Sequence, residues 1–180
     1  MKGVVFNILE DMVVEKGGVV LWQQLLNKAG VEGSYISVDT YEDAELFKIV
    51  HEVQKSLDIP LEDVIRSFGD FMFAKLADRY PMFVEAESDL FGFLKSIEPV
   101  IHLEVQKLYT EANLPTIDCA NAAENRLVMN YRSPRKLCIL AEGLIQGAAT
   151  YYQTPIKIEH NVCMHRESDH CELSISKVNV

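Results

Sequence analysis

Three side chains suited to binding an anion recur at alternate positions in the segment NYRSPRKLC, residues 130–138. They are Tyr131, Ser133 and Arg135. In an extended segment, alternate side chains point to the same face, so a phenol, a hydroxyl and a guanidinium would form a row of donors. A guanidinium binds a carboxylate or phosphate through parallel hydrogen bonds. The spacing favours an anion site; it also predicts that Ser133 caps a helix with Pro134 at its first position.

A second group of side chains could bind a metal ion. Its members are Cys138, His160, Cys163 and Cys171. Cys138 falls in the first turn of a predicted helix, and the other three surround the tip of a predicted hairpin. Three thiolates and one imidazole fit the tetrahedral coordination of structural zinc. The spacing differs from that of a standard zinc finger, and His165 or His170 could take the place of His160, so the fourth ligand stays open. Isolated thiols are the alternative.

The third candidate is His102, late in a predicted helix and on the side shared with Phe91. A single histidine beside an apolar stripe is usually a core or boundary residue. Its neutral imidazole can also bind a metal or a haem iron from an apolar wall. We find no nucleophile–base pair or carboxylate pair with convincing placement, so the sequence does not predict an enzyme.

The composition is that of one globular domain: 180 residues, 48% hydrophobic and 24% charged. The net charge of −10, from 27 acidic and 17 basic residues, disfavours binding to nucleic acid. The sequence has no run of basic residues of the kind that binds an anionic membrane surface. The N-terminal residues lack a signal-peptide pattern, and no stretch approaches the roughly 18 apolar residues of a membrane span. We therefore expect a cytoplasmic protein whose four cysteines are thiols or metal ligands.

Apolar periodicity predicts helices first and strands later. Helices are expected on both sides of Gly17 and Gly18, over about residues 41–57, after Pro60 and after a cap at Ser88. Strands are expected over residues 115–120, 126–131, 155–161 and 171–178, with one helix from Pro134. The predicted fold class is α+β in a single domain, residues 1–180. A helical subdomain, about residues 1–82, precedes about residues 83–180, which contain the His102 helix and a four-stranded antiparallel sheet with one helix.

A histidine late in the helix before a small sheet, then a proline such as Pro115, then Tyr-x-Ser-x-Arg, resembles the H-NOX family. These haem-nitric oxide/oxygen binding domains are related to the sensor domain of soluble guanylate cyclase, and the resemblance, to bacterial stand-alone members, covers essentially the whole chain. It implies that His102 is the axial ligand of a ferrous haem b and that Pro115 presses on the macrocycle. It assigns the two haem propionates to Tyr131, Ser133 and Arg135. Some bacterial members also carry a zinc site of the kind described above.

The resemblance also bears on the choice of gas. Oxygen-binding members carry a distal tyrosine in the helix after the motif, but here that helix has Leu140 and Leu144, with no tyrosine between Lys136 and Thr150. The candidate opposing wall is also apolar: Val5, Leu9, Met72, Phe73 and Leu76. Bound oxygen carries partial negative charge and needs a donor more than nitric oxide does. We expect nitric oxide binding, discrimination against oxygen, and carbon monoxide as a non-physiological ligand.

The function expected from this resemblance is that of a gas sensor signalling to a separate protein, since no sequence remains for an output domain. The resemblance implies a histidine kinase or an enzyme that makes or degrades cyclic di-GMP as the partner. Nitric oxide would weaken the bond between iron and His102, and release of His102 would move its helix and shift the helical subdomain against the sheet. The alternative is a zinc-dependent thiol redox sensor or adaptor, which would lack the Soret absorption of haem.

Overall fold

The structure of the chain is a computed structural model that describes residues 1–178. Its helices are α1 (Gly3–Ala29), α2 (Asp43–Leu57), α3 (Leu61–Arg79), α4 (Pro81–Glu85), α5 (Leu90–Ser96), a π-helical segment (Ile97–His102), α6 (Leu103–Leu108) and α7 (Cys138–Tyr151). Its strands are β1 (Thr116–Ala123), β2 (Arg126–Arg132), β3 (Ile156–Val162) and β4 (Cys171–Lys177), with a short 3-10 turn at Met164–Arg166. The predicted α+β class is confirmed. Within the described residues, no helix combines the length and the apolar character that crossing a membrane requires.

Helix α1 is interrupted where the sequence predicts a break. Gly18 has φ 80° and ψ 167°, a backbone conformation that only glycine adopts without strain. The chain changes direction there and continues as helix to Ala29, so the two predicted helices form one kinked element. Trp22 and Leu25 then pack into the N-terminal core.

Helix α7 packs backbone to backbone against α3. A Cβ atom added to Gly143 would lie 2.1 Å from the carbonyl oxygen of Arg66, and one added to Gly69 would lie 2.4 Å from that of Leu140. No larger side chain fits at either position. Two apolar cores meet at this contact, one built on α1, α2 and α3 and the other on α5, α7 and the sheet, and Leu144 touches both.

The sheet is antiparallel throughout, in the order β1-β2-β4-β3. Leu127, Met129 and Tyr131 alternate onto the buried face of the central strand β2. Tyr131 pairs with Ile117 of β1 on one side and with Cys171 of β4 on the other. The sheet therefore sets the start of the Tyr-x-Ser-x-Arg motif beside the hairpin that carries the cysteines.

Two predicted helix starts are wrong. The helix expected from Pro134 begins at Cys138, and Ser133 opens a turn in which the Lys136 N–H donates to the Ser133 carbonyl at 3.0 Å. Lys136 has φ 51° in this turn, so the chain cannot be helical there. Helix α5 is capped by Asp89 and not by Ser88, because the Asp89 carboxylate accepts from two backbone N–H groups of the first turn.

Candidate functional site

His102 ends the π-helical segment that joins α5 to α6. Pro99 within this segment has no N–H to donate, and π-helical turns are common at functional positions. The His102 ring, 13% exposed, contacts the Glu98 carboxylate through Nδ1 at 2.9 Å. The same carboxylate oxygen accepts from the backbone N–H of Ile117 in β1 at 3.0 Å. Since Glu98 holds Nδ1 and no partner for Nε2 is found among residues 1–178, the ring presents Nε2 for a metal.

The motif residues are brought together by the end of β2 and the turn after it. Tyr131 and Ser133 are buried and Arg135 is half-buried. The backbone N–H of Arg135 donates to the Ser133 hydroxyl at 3.2 Å. Burial raises the pKa of Tyr131, and hydrogen bonds with Ser133 and the backbone of Leu137 oppose this. The extended geometry expected for the whole motif holds only to Arg132, and a turn brings Arg135 back beside Ser133.

Arg135 joins three parts of the chain. Its Nε donates to the carboxylate of Asp43 in α2, and its Nη1 donates to the backbone carbonyl of Asn113. The N-terminal ammonium group of Met1 lies 2.8 Å from the other oxygen of Asp43. Burial would raise the pKa of Asp43, but hydrogen bonds from Arg135 and the ammonium group together lower it. A guanidinium has five N–H donors, so Arg135 keeps donors for an incoming carboxylate.

The segment 113–117 connects these two groups. Arg135 binds the carbonyl of Asn113, and Glu98 binds the N–H of Ile117. Pro115 is half-buried midway between these two contacts. Glu98 and Arg135 thus both contact the segment that carries Pro115. Glu98 and Asp43 were missed by sequence reasoning. The four-residue spacing of Glu98 and His102 was a usable signal, because such pairs face each other on a helix.

Most of the predicted apolar wall lies in the N-terminal core. That core contains Val5, Leu9, Met72, Leu76, Leu140 and Leu144, from α1, α3 and α7. Phe73 packs instead in the other core, edge-on to the ring of Phe93 with centroids 5.5 Å apart. Leu140 of α7 therefore packs in the N-terminal core, and Leu144 contacts both cores.

The four predicted zinc ligands converge. The ligand atoms of Cys138, His160, Cys163 and Cys171 all lie within 4.8 Å of one another. The three cysteines are buried. Nε2 of His165 donates to the Lys136 carbonyl oxygen at 2.8 Å, and Nδ1 of His170 pairs with the carboxylate of its neighbour Asp169 at 2.6 Å. The geometry brings His160, of the three histidines considered, to the thiols.

The cluster has the donor chemistry of a cation site. Nδ1 of His160 lies 2.7 Å from Oε1 of Glu142, while its Nε2 is fully buried and has no hydrogen-bond partner among residues 1–178. Burial raises the pKa values of Cys138 and Cys171. Burial also opposes ionisation of Cys163, but hydrogen bonds from the His165 N–H and from Cys138 lower its pKa. Buried thiolates need a compensating positive charge, and a metal ion supplies it.

Comparison with known proteins places these features in context. The family model described as Haem-NO-binding (HNOB) matches residues 2–160. The H-NOX protein of Shewanella oneidensis, solved in the Fe(II)NO ligation state, is 44% identical with a TM-score of 0.94, over 99% of this chain and 100% of that chain. The unliganded Fe(II) H-NOX protein of K. algicida is 26% identical with a TM-score of 0.86, over 100% and 98%.

Curated relatives include soluble guanylate cyclases of Caenorhabditis elegans. Soluble guanylate cyclase gcy-35 is 22% identical over 184 residues, covering 98% of this chain and 26% of the relative. Soluble guanylate cyclase gcy-34 is 22% identical over 83% of this chain and 23% of the relative. The chain therefore spans about a quarter of the length of the curated relatives that it matches.

Proposed function

This chain belongs to the haem-NO-binding (H-NOX) family of haem-based gas sensors, and from that premise we propose that it senses nitric oxide and signals to a separate partner protein. The observation that carries the proposal is the pair of contacts on segment 113–117. His102 reaches this segment through Glu98, and Arg135 reaches it through Asn113. A metal-binding imidazole and an anion-binding guanidinium thus flank one short stretch of chain. A haem offers an iron and two carboxylates to such a pair.

Each residue has a defined role in this proposal. His102 would bind the iron through Nε2, with its ring orientation fixed by Glu98 at 2.9 Å. Tyr131, Ser133 and Arg135 would bind the two propionates, and Pro115 would press on the macrocycle. The haem, when bound, supplies the iron position at which a diatomic gas binds. Domains of this family are sensors and not catalysts.

The apolar wall favours nitric oxide over oxygen. Leu140 and Leu144 offer no hydrogen-bond donor, and neither do Val5 and Leu9 of the same apolar core. An oxygen ligand with partial negative charge would lose roughly 1–3 kcal/mol in such surroundings, or about one to two decades in affinity. Nitric oxide is less polarised and loses little. Carbon monoxide should bind as well, and the Shewanella oneidensis H-NOX domain has been solved in an Fe(II)CO state.

His102 can transmit a change at the iron to the sheet. The carboxylate of Glu98 binds His102 and the backbone of Ile117 through a single oxygen. A displacement of His102 would therefore strain or break the bond to β1 and shift α5 and α6 against the sheet. We propose a histidine kinase or an enzyme of cyclic di-GMP metabolism as the partner that detects this shift.

The test is the absorption spectrum of the ferrous protein. A five-coordinate ferrous Soret band should persist on first exposure to air-saturated buffer, and a low concentration of nitric oxide should convert it fully. Carbon monoxide is the positive control, because its binding shows that the ferrous haem is accessible. A stable spectrum of an oxygen complex would contradict the proposed selectivity, and a protein without a Soret band after haem reconstitution would contradict the haem site.

We also propose that Cys138, His160, Cys163 and Cys171 bind one zinc ion. The supporting observation is the buried, unpartnered Nε2 of His160 within 4.8 Å of three thiols. Elemental analysis should find one zinc per chain independent of haem content, and Cys163→Ala should abolish it. Cys119→Ala is the matched control, since Cys119 is a thiol outside the cluster. A folded, reduced and zinc-free protein as isolated would contradict this site, whereas a colourless zinc protein would favour the redox adaptor.

A further inference from the structure

Glu142 is a buried carboxylate that the proposals above leave without a role. It lies in the middle of α7 and is only 8% exposed, and the other buried residues of this helix are apolar or small. Both of its oxygens are engaged by charged or polar partners. Oε1 lies 2.7 Å from Nδ1 of His160 in β3, and Oε2 accepts from Nε and Nη2 of Arg66 in α3 at 3.2 and 3.0 Å. Burying a carboxylate is costly, so this arrangement calls for a specific role.

The contact with Glu142 determines which nitrogen of His160 carries the proton. An ionised carboxylate only accepts hydrogen bonds, so Nδ1 of His160 must be the donor. Nε2 then carries the lone pair, and this is the buried nitrogen that faces the thiols without a partner. Histidines that bind metals commonly donate their other ring N–H to a carboxylate in this way, which fixes the ring and makes it a stronger ligand.

Arg66 determines where the carboxylate lies. Two nitrogens of its guanidinium bind the same oxygen of Glu142. Arg66 also forms an exposed ion pair of 3.3 Å with Asp63, one turn earlier in α3. The polar contacts from Arg66 to Glu142 and from Glu142 to His160 therefore join α3, α7 and β3, and they end at the thiol cluster.

We infer that Glu142, held by Arg66, is a positioning residue that orients His160 for the metal. The inference rests on the zinc site proposed above. It assigns the metal affinity of this cluster in part to helix α3, which supplies none of the four ligands. It also explains why a carboxylate is tolerated on the buried side of α7.

The experiment measures zinc affinity in the full-length, reduced holoprotein by competition with a chromophoric chelator. Glu142→Gln keeps the shape of the side chain but removes its charge, and it should weaken zinc binding by about 10–100-fold. Arg66→Gln leaves the carboxylate in place and should weaken it by about tenfold, the lower end of that range. The cobalt(II) form supplies a second readout, since loss of imidazole orientation should shift its d–d absorption bands, which a purely structural role would leave unchanged.

Matched controls exist for both variants. Glu159→Gln removes the charge of a solvent-exposed carboxylate that pairs with Lys157 and belongs to the residue before His160. Asp63→Asn removes only the exposed partner of Arg66. Both controls should bind zinc as the wild type does. Equal affinity in all four variants would overturn the inference and leave the zinc site standing, whereas a wild-type protein that binds no zinc would overturn both. If Glu142→Gln fails to fold, Arg66→Gln decides the matter.

Discussion

Replacing Gly143 by alanine should separate α7 from α3. The added Cβ would lie 2.1 Å from the carbonyl oxygen of Arg66 and 2.9 Å from Cα of Gly69, so the first contact falls about 1.3 Å short of the 3.4 Å at which ordinary contact begins. Both opposing atoms belong to the backbone, and no side-chain rotation can relieve the overlap. Overpacking of this kind costs about 1–3 kcal/mol. A domain of this size loses about 2–4 °C in Tm per kcal/mol, so we expect a Tm lower by about 2–12 °C.

Thermal unfolding followed by circular dichroism measures this effect, with Gly92→Ala as the control. At Gly92 the new methyl group would meet only the end of the flexible Glu87 side chain, at 2.8 Å. Alanine is also favoured over glycine in a helix by up to about 1 kcal/mol, so the control should keep or raise the Tm. A Gly143→Ala protein as stable as the wild type would refute the close α3–α7 contact. Because Gly143 lies between Leu140 and Leu144, the variant should also show altered carbon monoxide dissociation.

Three further results are expected. His102→Gly should lose five-coordinate ferrous ligation and regain it with added imidazole; an unchanged spectrum without imidazole would exclude His102 as the ligand. Arg135→Ala should lose haem faster than Ser133→Ala, because a hydrogen bond to a charged group contributes about 1.5–3 kcal/mol; transfer of haem to an apoprotein acceptor measures this, and equal rates would contradict the assignment. The pKa of Asp43 is lowered in the folded state, so its stabilising contribution is present above its unfolded pKa of about 3.9 and lost as pH falls through the folded value. Acid unfolding should therefore depend less steeply on pH in Asp43→Asn; identical titrations would argue against the Asp43–Arg135 pair.

The strands could be predicted from the sequence because their signal is local. Apolar residues alternate along β2, and the side chains of Leu127, Met129 and Tyr131 are the ones buried. The start of α7 could not be predicted in the same way. Ser133 followed by proline resembles a helix cap, but Arg135 is drawn to Asp43, 92 residues earlier in the chain. That tertiary contact keeps residues 133–137 in a turn.

The carboxylates next to the sites were missed for a related reason. Glu98 and Glu142 lie on helices, where a glutamate usually faces solvent. Their partners come from other elements: Ile117 of β1 for Glu98, and Arg66 of α3 for Glu142. Sequence spacing could suggest the pair of Glu98 with His102, four residues apart, but it carries no information on the contact between α3 and α7.

Helix α7 connects the two proposed sites. Cys138 and Glu142 are four residues apart and share the side of the helix that carries the contacts to the thiol cluster and His160, whereas Leu140 belongs to the N-terminal core and Leu144 contacts both cores. The glycine contact between α7 and α3 holds the two helix backbones in close packing. The ion pair between Arg66 of α3 and Glu142 of α7 spans the same contact. A displacement of α7 at one proposed site would therefore be transmitted along the same helix to the side chains of the other.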